Sequence, residues 1–279
     1  MRLVIQAPSL SQQHLDAIAA FCPDKDSFQQ VAEHAYALSV AERLPEVITY
    51  SATHKIDCAF VQDEHTLDRL GLVVMDMDST LITIECIDEI ADMHGLKPQV
   101  AKITESAMQG EIEFAESLRR RVALLEGLDE SALQRVVDER LQLSPGALEL
   151  IAACKAKGIR TMLVSGGFDF FADRVKALAG LDYAHANKLE IANGKLTGQV
   201  LGDIVDAEAK AAWLVRIRDN LGLQPHQTMA IGDGANDLKM MAAAGIGVAY
   251  HAKPLVQQQA TYALNHSGLD GVVNLLAAI

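Results

Sequence analysis

The sequence predicts an α/β fold, a doubly wound parallel sheet with helices on both faces, and two observations indicate it. Short apolar runs recur in the second part of the chain, at residues 72–75, 159–164, 228–231 and 245–249, and the first of them is continuously apolar. Runs without polar alternation are typical of strands buried on both faces. Segments with helical spacing lie between these runs, and such alternation is typical of parallel sheets. Ligands then bind beyond the carboxyl ends of the strands.

Capping residues predict three helices between these strands. Ser144-Pro145 would begin the first and Gly158 would follow its end, because Pro is favoured at the first helical position and Gly just past the last. Asp206 would cap a second helix, which Gly222 would close. A third helix is predicted over residues 236–244.

Residues 84–143 interrupt the alternation directly after the first strand. Their pattern is helical and contains no strand-like run, so we expect a helical cap inserted into a core domain of residues 69–279. Such a cap would cover the edge of the sheet where the polar motifs lie. A purely structural insertion is the alternative.

Residues 1–68 are expected to form a separate, small α/β domain. Strands are predicted at residues 3–7, 47–50 and 58–61, and a helix at residues 12–21. We find no chemistry-bearing motif in this segment, so its role, including a regulatory one, stays open.

Composition narrows the classes of partner. The net charge of −13 repels polyanions, so we do not expect nucleic acid as a partner. No stretch approaches the ~18 apolar residues of a membrane span, and the first residues lack a signal-peptide pattern. The four cysteines show no C-x-x-C spacing. We therefore expect a cytoplasmic protein with no membrane partner.

Two carboxylates, Asp76 and Asp78, follow the first predicted strand of the core. Like charges so close together repel each other, and a hard divalent cation bound by carboxylate oxygens would compensate. The Asp-x-Asp pattern is also common in surface turns. The apolar run before it favours the functional interpretation, because a buried strand delivers both groups to the edge of the sheet.

Three weaker motifs occupy equivalent positions farther along the chain. Gly232-Asp233-Gly234-Ala235-Asn236-Asp237 follows a predicted strand, its glycines permit close backbone approach to a ligand, and its helix N-terminus offers free N–H groups. Ser165-Gly166-Gly167 follows another strand, and Lys210 lies in the first turn of a helix. Each alone also suits an ordinary turn or an exposed lysine. Together with Asp76 and Asp78 they match a phosphoryl-transfer site.

These four motifs resemble those of the haloacid dehalogenase-like phosphatase superfamily, in the same order, over about residues 70–279. The predicted cap resembles that of the phosphoserine phosphatases within it. The cap residues that carry this likeness are Glu85, Met108-Gln109-Gly110, Phe114 and Ser117-Leu118-Arg119-Arg120-Arg121-Val122.

The resemblance implies the chemistry of the core residues. Asp76 would attack phosphorus and form an aspartyl-phosphate, and Asp78 would protonate the leaving oxygen and then activate water. Mg²⁺ would be held by the Asp76 carboxylate, the Asp78 backbone carbonyl and Asp233, with Asp237 in support. The phosphoryl group would be bound by Lys210, Ser165, the N–H of Gly166 and Asn236.

In the cap, the resemblance implies that Glu85 faces a substrate ammonium group and Arg121 a substrate carboxylate, while Met108 and Phe114 supply apolar walls. The substrate would be O-phospho-L-serine and the products L-serine and phosphate, the final step of serine biosynthesis. We expect a monomer or a homodimer.

Helical periodicity gives independent support for the arginine. An apolar stripe at spacings of three and four contains Phe114, Leu118, Val122 and Leu125, and Arg121 interrupts it. An arginine on a covered face needs an anionic partner, and its planar fork suits a carboxylate. An arginine at the edge of the stripe with its charge in water is the alternative.

Three other functions remain open at this point. A phosphatase of the same superfamily could act on phosphohomoserine, phosphoglycolate or another phosphate, although Glu85 with Arg121 favours an amino-acid substrate. Asp78 argues against a dehalogenase, since a leaving halide needs no acid. A non-catalytic regulatory protein would not need the complete motif set.

Overall fold

The computed structural model describes residues 1–22 and 27–278, apart from the side chain of Met108. The role predicted for Met108 as an apolar wall therefore lies outside the described residues. No helix of the described part is long and apolar enough to cross a membrane.

The N-terminal segment forms a four-stranded antiparallel sheet with two helices. Its strand order is β2-β3-β1-β4. Its elements are β1 (Arg2–Gln6), α1 (Gln12–Ala19), β2 (Gln29–Ala32), β3 (Ala35–Ser39), α2 (Pro45–Thr53) and β4 (Asp57–Val61). The predicted strands at residues 3–7 and 58–61 and the helix at 12–21 are confirmed within two residues.

The predicted strand at residues 47–50 is wrong, because these residues lie inside α2. Pro45 occupies the first position of this helix, where its missing N–H costs nothing. Val47 and Ser51, one helical turn apart, are its buried residues. A short apolar run does not by itself distinguish a strand from a helix.

The remaining residues form a seven-stranded sheet with helices around it. The elements, in chain order, are β5 (Leu72–Met75), α3 (Cys86–Met93), α4 (Lys97–Met108), α5 (Phe114–Ala123), α6 (Ser131–Glu139), α7 (Ala147–Ala156), β6 (Arg160–Phe168), α8 (Asp169–Ala179), β7 (Tyr183–Ala192), β8 (Lys195–Leu201), α9 (Ala207–Asn220), β9 (Thr228–Gly232), α10 (Leu238–Ala243), β10 (Ile246–Tyr250), α11 (Pro254–Gln259), β11 (Tyr262–Leu264) and α12 (Asp270–Leu275).

The strand order of this sheet is β11-β10-β9-β5-β6-β7-β8. All neighbours are parallel except β7 and β8, which form an antiparallel hairpin. The four predicted strands correspond to β5, β6, β9 and β10, so the predicted fold class is confirmed. The hairpin was not predicted, because its strands are largely half-buried or exposed and lack a continuous apolar run.

The side chains of the central strand β5 pack in two separate hydrophobic cores, one on each face of the sheet. Val73 and Met75 pack in the core that contains residues of α7 and α8. Leu72 and Val74 pack in the core that contains residues of α9, α10 and α11. Because successive side chains of a strand point to opposite faces, a strand without polar residues is what a sheet covered on both sides requires.

Two of the three predicted helix starts differ from the structure. Asp206 caps α9 as predicted, and its carboxylate accepts a hydrogen bond from the N–H of Ala209 over 2.9 Å. Ser144 does not cap α7, which begins at Ala147 after Gly146 with φ of 75°. A Cβ at Gly146 would also lie 2.3 Å from the backbone nitrogen of Asp270, so packing as well as φ requires glycine there. The third helix, α10, begins at Leu238, two residues after the predicted start, and follows a short 3₁₀ turn.

Four helices, α3–α6, occupy the segment predicted to be the cap. The two linkers that join them to the core lie side by side, with an antiparallel bridge between Ile82 and Leu143. The N–H of Thr83 donates to the carbonyl of Gln142 over 3.0 Å, and the N–H of Ser144 donates to that of Leu81 over 2.9 Å. The connection is thus a narrow two-stranded hinge.

The N-terminal sheet is docked firmly onto the rest of the chain. The buried carboxylate of Asp57 accepts hydrogen bonds from three consecutive backbone N–H groups, those of Asn265, His266 and Ser267, over 2.6, 3.1 and 2.8 Å. One face of the small sheet has its own core, while Val4 on the other face belongs to the large core of the seven-stranded sheet. The division of the chain at residues 68 and 69 stays a prediction.

Candidate active site

Asp76 and Lys210 form the centre of the candidate site. Asp76 follows β5, and its N–H donates to the carbonyl of Ile231 on β9 over 2.9 Å. The ammonium group of Lys210, which α9 carries, lies 2.6 Å from Oδ1 of Asp76 and 2.7 Å from Oδ1 of Asp237. All three of these charged side chains are buried.

The pKa values of this cluster reflect its burial and its charges. Burial and the carboxylate of Asp237 raise the pKa of Asp76, and Lys210 opposes them. Burial alone would lower the pKa of Lys210, but Asp237 and Asp76 outweigh it and raise the pKa above its ordinary value. Lys210 is therefore a permanent cation at the nucleophile predicted for this site.

The cluster around Asp76 and Lys210 carries an excess of negative charge that suits a divalent cation. Asp76, Asp233 and Asp237 each offer a carboxylate oxygen, and these oxygens lie within 4.8 Å of one another. Burial and the charge of Asp237 raise the pKa of Asp233 to about 6, although Thr80 donates to it over 3.2 Å. One lysine does not balance three carboxylates, and oxygen ligands suit hard cations. The donor set therefore fits a metal ion.

Asp78 lies beside this cluster with two hydrogen-bond donors directed at it. The N–H of Cys86 donates to its Oδ1 over 3.0 Å, and the hydroxyl of Ser165 lies 3.4 Å from its Oδ2. Burial raises the pKa of Asp78, and the hydrogen bonds from Cys86 lower it in part. A carboxyl group with a raised pKa suits a group that must donate a proton.

The last residues of β6, at an irregularity in its pairing with β7 between Val164 and Phe168, pack directly against Asp78. The hydroxyl of Ser165 accepts a hydrogen bond from the N–H of Gly167 over 2.8 Å, and a Cβ at Gly167 would lie 2.6 Å from Oδ2 of Asp78. A Cβ at Gly166 would lie 2.9 Å from the ring of Phe114. Phe114 thus brings the first turn of α5 in the cap against the end of β6; its role as an apolar wall stays a prediction.

The turn after β9 is shaped by two glycines. A Cβ at Gly232 would lie 2.4 Å from the carboxylate carbon of Asp237, and one at Gly234 would lie 2.1 Å from Oδ1 of Asn236. Asp237 also accepts a hydrogen bond from the N–H of Gly234 over 3.1 Å. The glycines therefore let both polar side chains fold back over the turn, which places Asp237 beside Asp76.

Glu85 lies directly before α3, at the start of the cap. Its carboxylate accepts a hydrogen bond from the hydroxyl of Ser79 over 2.7 Å. Although the side chain reaches solvent, partial burial and the charge of Asp78 raise its pKa to about 7. Its negative charge is thus available at neutral pH and is sensitive to acid.

Arg121 is half-buried, while its neighbours Arg119 and Arg120 are exposed, as the periodicity predicts. Arg120 pairs with Glu116 over 2.6 Å. Arg121 forms no ion pair with the described carboxylates, and its one hydrogen bond goes to the carbonyl of Ser117 over 3.4 Å. Burial lowers the pKa of Arg121, and the charge of Asp88 opposes that. The guanidinium is therefore available for an anionic ligand.

Sequence reasoning missed Asn187, which joins two parts of the site. Its side-chain amide donates to the carbonyl of Gly166 over 2.8 Å, and its Oδ1 accepts from the N–H of Val205 over 2.8 Å. Val205 directly precedes Asp206, the N-cap residue of α9, which carries Lys210. Asn187 lies on β7 of the unpredicted hairpin, so no local signal could identify it.

Fold and site together define a class of hydrolase. The family model of haloacid dehalogenase-like hydrolases matches residues 73–242, a span that runs from β5 through α10 and contains every side chain of the cluster around Asp76. The chain belongs to the haloacid dehalogenase-like hydrolase family.

Within that family, the chain is similar to phosphoserine phosphatases. It is 48% identical to the phosphoserine phosphatase of Vibrio cholerae serotype O1 over 249 residues, which cover 89% of this chain and 76% of that protein. The crystal structure of a probable phosphoserine phosphatase from Vibrio cholerae in unliganded form superposes with a TM-score of 0.87 at 43% identity, covering 99% of this chain and 86% of the other. A substrate-bound phosphoserine phosphatase complex superposes with a TM-score of 0.66 at 40% identity, covering 70% and 93%.

Proposed function

We propose that this enzyme hydrolyses O-phospho-L-serine to L-serine and inorganic phosphate, the final step of serine biosynthesis. The observation that carries the proposal is the buried pair of Asp76 and Lys210 beside Asp78. Glu85 and Arg121 of the cap are proposed to face this pair. Relatives that are about half identical to this chain are phosphoserine phosphatases, which supports the same substrate.

Asp76 is the proposed nucleophile. Lys210 holds its Oδ1, and Oδ2 makes no hydrogen bond to the described residues, so Oδ2 is the oxygen free to attack phosphorus. The new bond makes an aspartyl-phosphate while the bond from phosphorus to the serine oxygen breaks. Lys210, Ser165, the N–H of Gly166 and Asn236 stabilise the charge on the phosphoryl oxygens.

Asp78 is the proposed proton donor. Its raised pKa keeps a proton available, which passes to the leaving serine oxygen. The resulting Asp78 carboxylate then takes a proton from water as that water attacks the phosphorus of the aspartyl-phosphate. Phosphate leaves, and the Asp76 carboxylate is restored.

Glu85 and Arg121 are proposed to select the substrate. The Glu85 carboxylate binds the ammonium group, and the unpaired Arg121 fork binds the carboxylate. Phe114 closes the apolar side of the space between them, and Met108 is proposed to do the same.

The proposed cofactor is Mg²⁺, held by Asp76, Asp233 and the backbone carbonyl of Asp78, with Asp237 in support. When bound, it neutralises the charge between the anionic nucleophile and the anionic substrate. Cys58, Cys86 and Cys154 are free thiols, which supports the proposed cytoplasmic location.

Phosphate release from a panel of substrates tests this proposal. We expect phosphoserine to be hydrolysed with a far higher kcat/KM than phosphohomoserine or phosphoglycolate, and we expect EDTA to abolish and Mg²⁺ to restore activity. Full activity in excess EDTA would contradict the metal site. A preference for another phosphate would keep the phosphatase but replace its substrate.

A further inference from the structure

A cavity of about 750 Å³ lies between the N-terminal sheet and the seven-stranded domain. The end of β1 and the β2–β3 turn form one wall, and the loop after β11 with α12 forms the opposite wall. Its volume is in the range of small-molecule sites, which often lie between domains. The function proposed above makes no use of it.

The polar groups of this cavity favour a cation. Its charged lining residues are Glu33 and Asp270, apart from histidines, and no described lysine or arginine lines it. The carboxylate of Asp270 makes no hydrogen bond or ion pair with the residues that the structure describes. It is held between two glycines, since a Cβ at Gly146 or at Gly268 would lie 2.2 or 2.6 Å from its Oδ1.

A second group in the same wall also lacks a partner. Ser267 lines the cavity, is only 9% exposed, and its hydroxyl has no hydrogen-bond partner within the described part of the chain. A buried hydroxyl without a partner costs free energy. The oxygen itself is buried, so a rotation of the Ser267 side chain toward the cavity would let a hydrogen-bonding group of a ligand satisfy it.

Two aromatic rings and two prolines also line the cavity, among polar side chains such as Gln6, Thr83 and Asn274. Tyr250 and His251 line the cavity with ring centroids 4.3 Å apart, and Pro8 and Pro145 face it from the two domains. Aromatic rings and prolines pack well against a planar group, and an aromatic face also attracts a cation.

We propose that this interdomain cavity is a binding site for a small aromatic molecule with a primary ammonium group. The ammonium pairs with Asp270, the ring lies against Tyr250 and Pro145, and a polar substituent reaches Ser267.

Such a ligand would also contact the hinge of the cap. Thr83 and Ser144, one on each linker, line the same cavity. A molecule packed between them and the N-terminal sheet resists movement of the linkers. Ser79, whose hydroxyl donates to Glu85, also lines the cavity. This part rests on the proposed phosphatase function: occupation of the cavity lowers kcat for phosphoserine at least twofold without competing with it, because the ammonium group pairs with Asp270 and not with Glu85.

Tyramine is the probe, and 3-(4-hydroxyphenyl)propionate is its matched control, with a carboxylate in place of the ammonium group. Titration calorimetry on the full chain with Mg²⁺ is expected to show one tyramine per chain and binding of the acid at least tenfold weaker. Equal binding of both molecules, or no binding of tyramine, would overturn the proposal. This measurement needs no turnover, so it stands even if phosphoserine is not the substrate.

Variants locate the bound tyramine. Asp270→Asn removes the charge and is expected to weaken binding about ten- to a hundredfold, whereas Glu64→Gln, at an exposed position outside the cavity, leaves it unchanged. If Asp270→Asn does not fold, Glu33→Gln is the second test variant. Glu33 lies in the exposed turn between β2 and β3, and its substitution is expected to weaken tyramine binding a few-fold. Loss of binding in Glu85→Gln, or competition with phosphoserine, would place tyramine in the active site and contradict the proposal.

Discussion

The side-chain amide of Asn187 lies 2.8 Å from the carbonyl oxygen of Gly166, and this hydrogen bond joins the end of β6, which is proposed to bind phosphate, to the hairpin beside it. The other end of the same amide holds Val205, at the entry to the helix of Lys210. One buried side chain thus sets the separation between the Gly166 N–H and the Lys210 ammonium group.

Asn187→Asp is expected to lower kcat about 10- to 100-fold for both phosphoserine and p-nitrophenyl phosphate. The carboxylate still accepts from Val205 but repels the carbonyl of Gly166, and displacement of reacting groups by about 1 Å can cost roughly 100-fold. Asn193→Asp, at an exposed position in the same hairpin, is the matched control. A lower melting temperature with unchanged kcat would show that Asn187 supports only the fold.

Asp76→Asn is expected to reduce turnover by about 10⁴-fold or more while the chain still folds. The substitution nearly preserves shape but removes the nucleophile. Phosphate release and the thermal unfolding curve are measured on the same preparation. Substantial activity in a preparation free of wild-type enzyme would show that Asp76 is not the attacking group.

Arg121→Ala is expected to lower kcat/KM for phosphoserine roughly 30- to several-thousand-fold, since loss of a charged pair in a closed site costs about 2–5 kcal/mol. An aryl phosphate without a carboxylate never had this interaction, so its kcat/KM should fall only modestly. Arg120→Ala, which breaks the exposed pair with Glu116, is the control. Equal losses on both substrates would mean that Arg121 holds the cap.

The pH dependence of kcat/KM tests Glu85, whose pKa burial and Asp78 raise to about 7. Because only the deprotonated carboxylate binds an ammonium group, kcat/KM for phosphoserine is expected to fall as the pH drops below about 7, by approaching tenfold per unit. p-Nitrophenyl phosphate, without an ammonium group, should lack this limb. An identical acid limb for both substrates, or one that persists in Glu85→Gln, would assign the titration to another group.

Removal of residues 1–68 is expected to keep the chemical step but to lower stability. All proposed catalytic and metal groups lie between Asp76 and Asp237, and the cut precedes β5. The truncation removes the Asp57 carboxylate that holds the loop at residues 265–267, and it uncovers apolar surface. Thermal unfolding and kcat at saturating phosphoserine are the measurements.

A folded truncated core with kcat reduced a hundredfold or more, about 2.7 kcal/mol of barrier, would show that the N-terminal sheet helps to build the active site. Aggregation without altered chemistry in the folded fraction would agree with the expected role of the docking surface.

Local patterns were enough to predict the strands that matter most and the side chains at their ends. A strand buried on both faces is rich in apolar residues, so β5, β6, β9 and β10 are visible in the sequence as apolar runs. Asp76, Ser165 and Asp233 could be predicted as site residues because each lies at or just after the end of such a run. Helical spacing likewise distinguished Arg121 from Arg119 and Arg120.

Other features depended on contacts between residues distant in the chain. Residues 47–50 are helical because α2 packs its buried side chains on the small sheet, which a four-residue apolar run cannot reveal. Asn187 matters because its strand pairs with β6, and Asp57 because residues about 208 positions away present their N–H groups to it. A hydrogen bond between such residues leaves no periodic trace in the sequence, since its partners are brought together only when the chain folds.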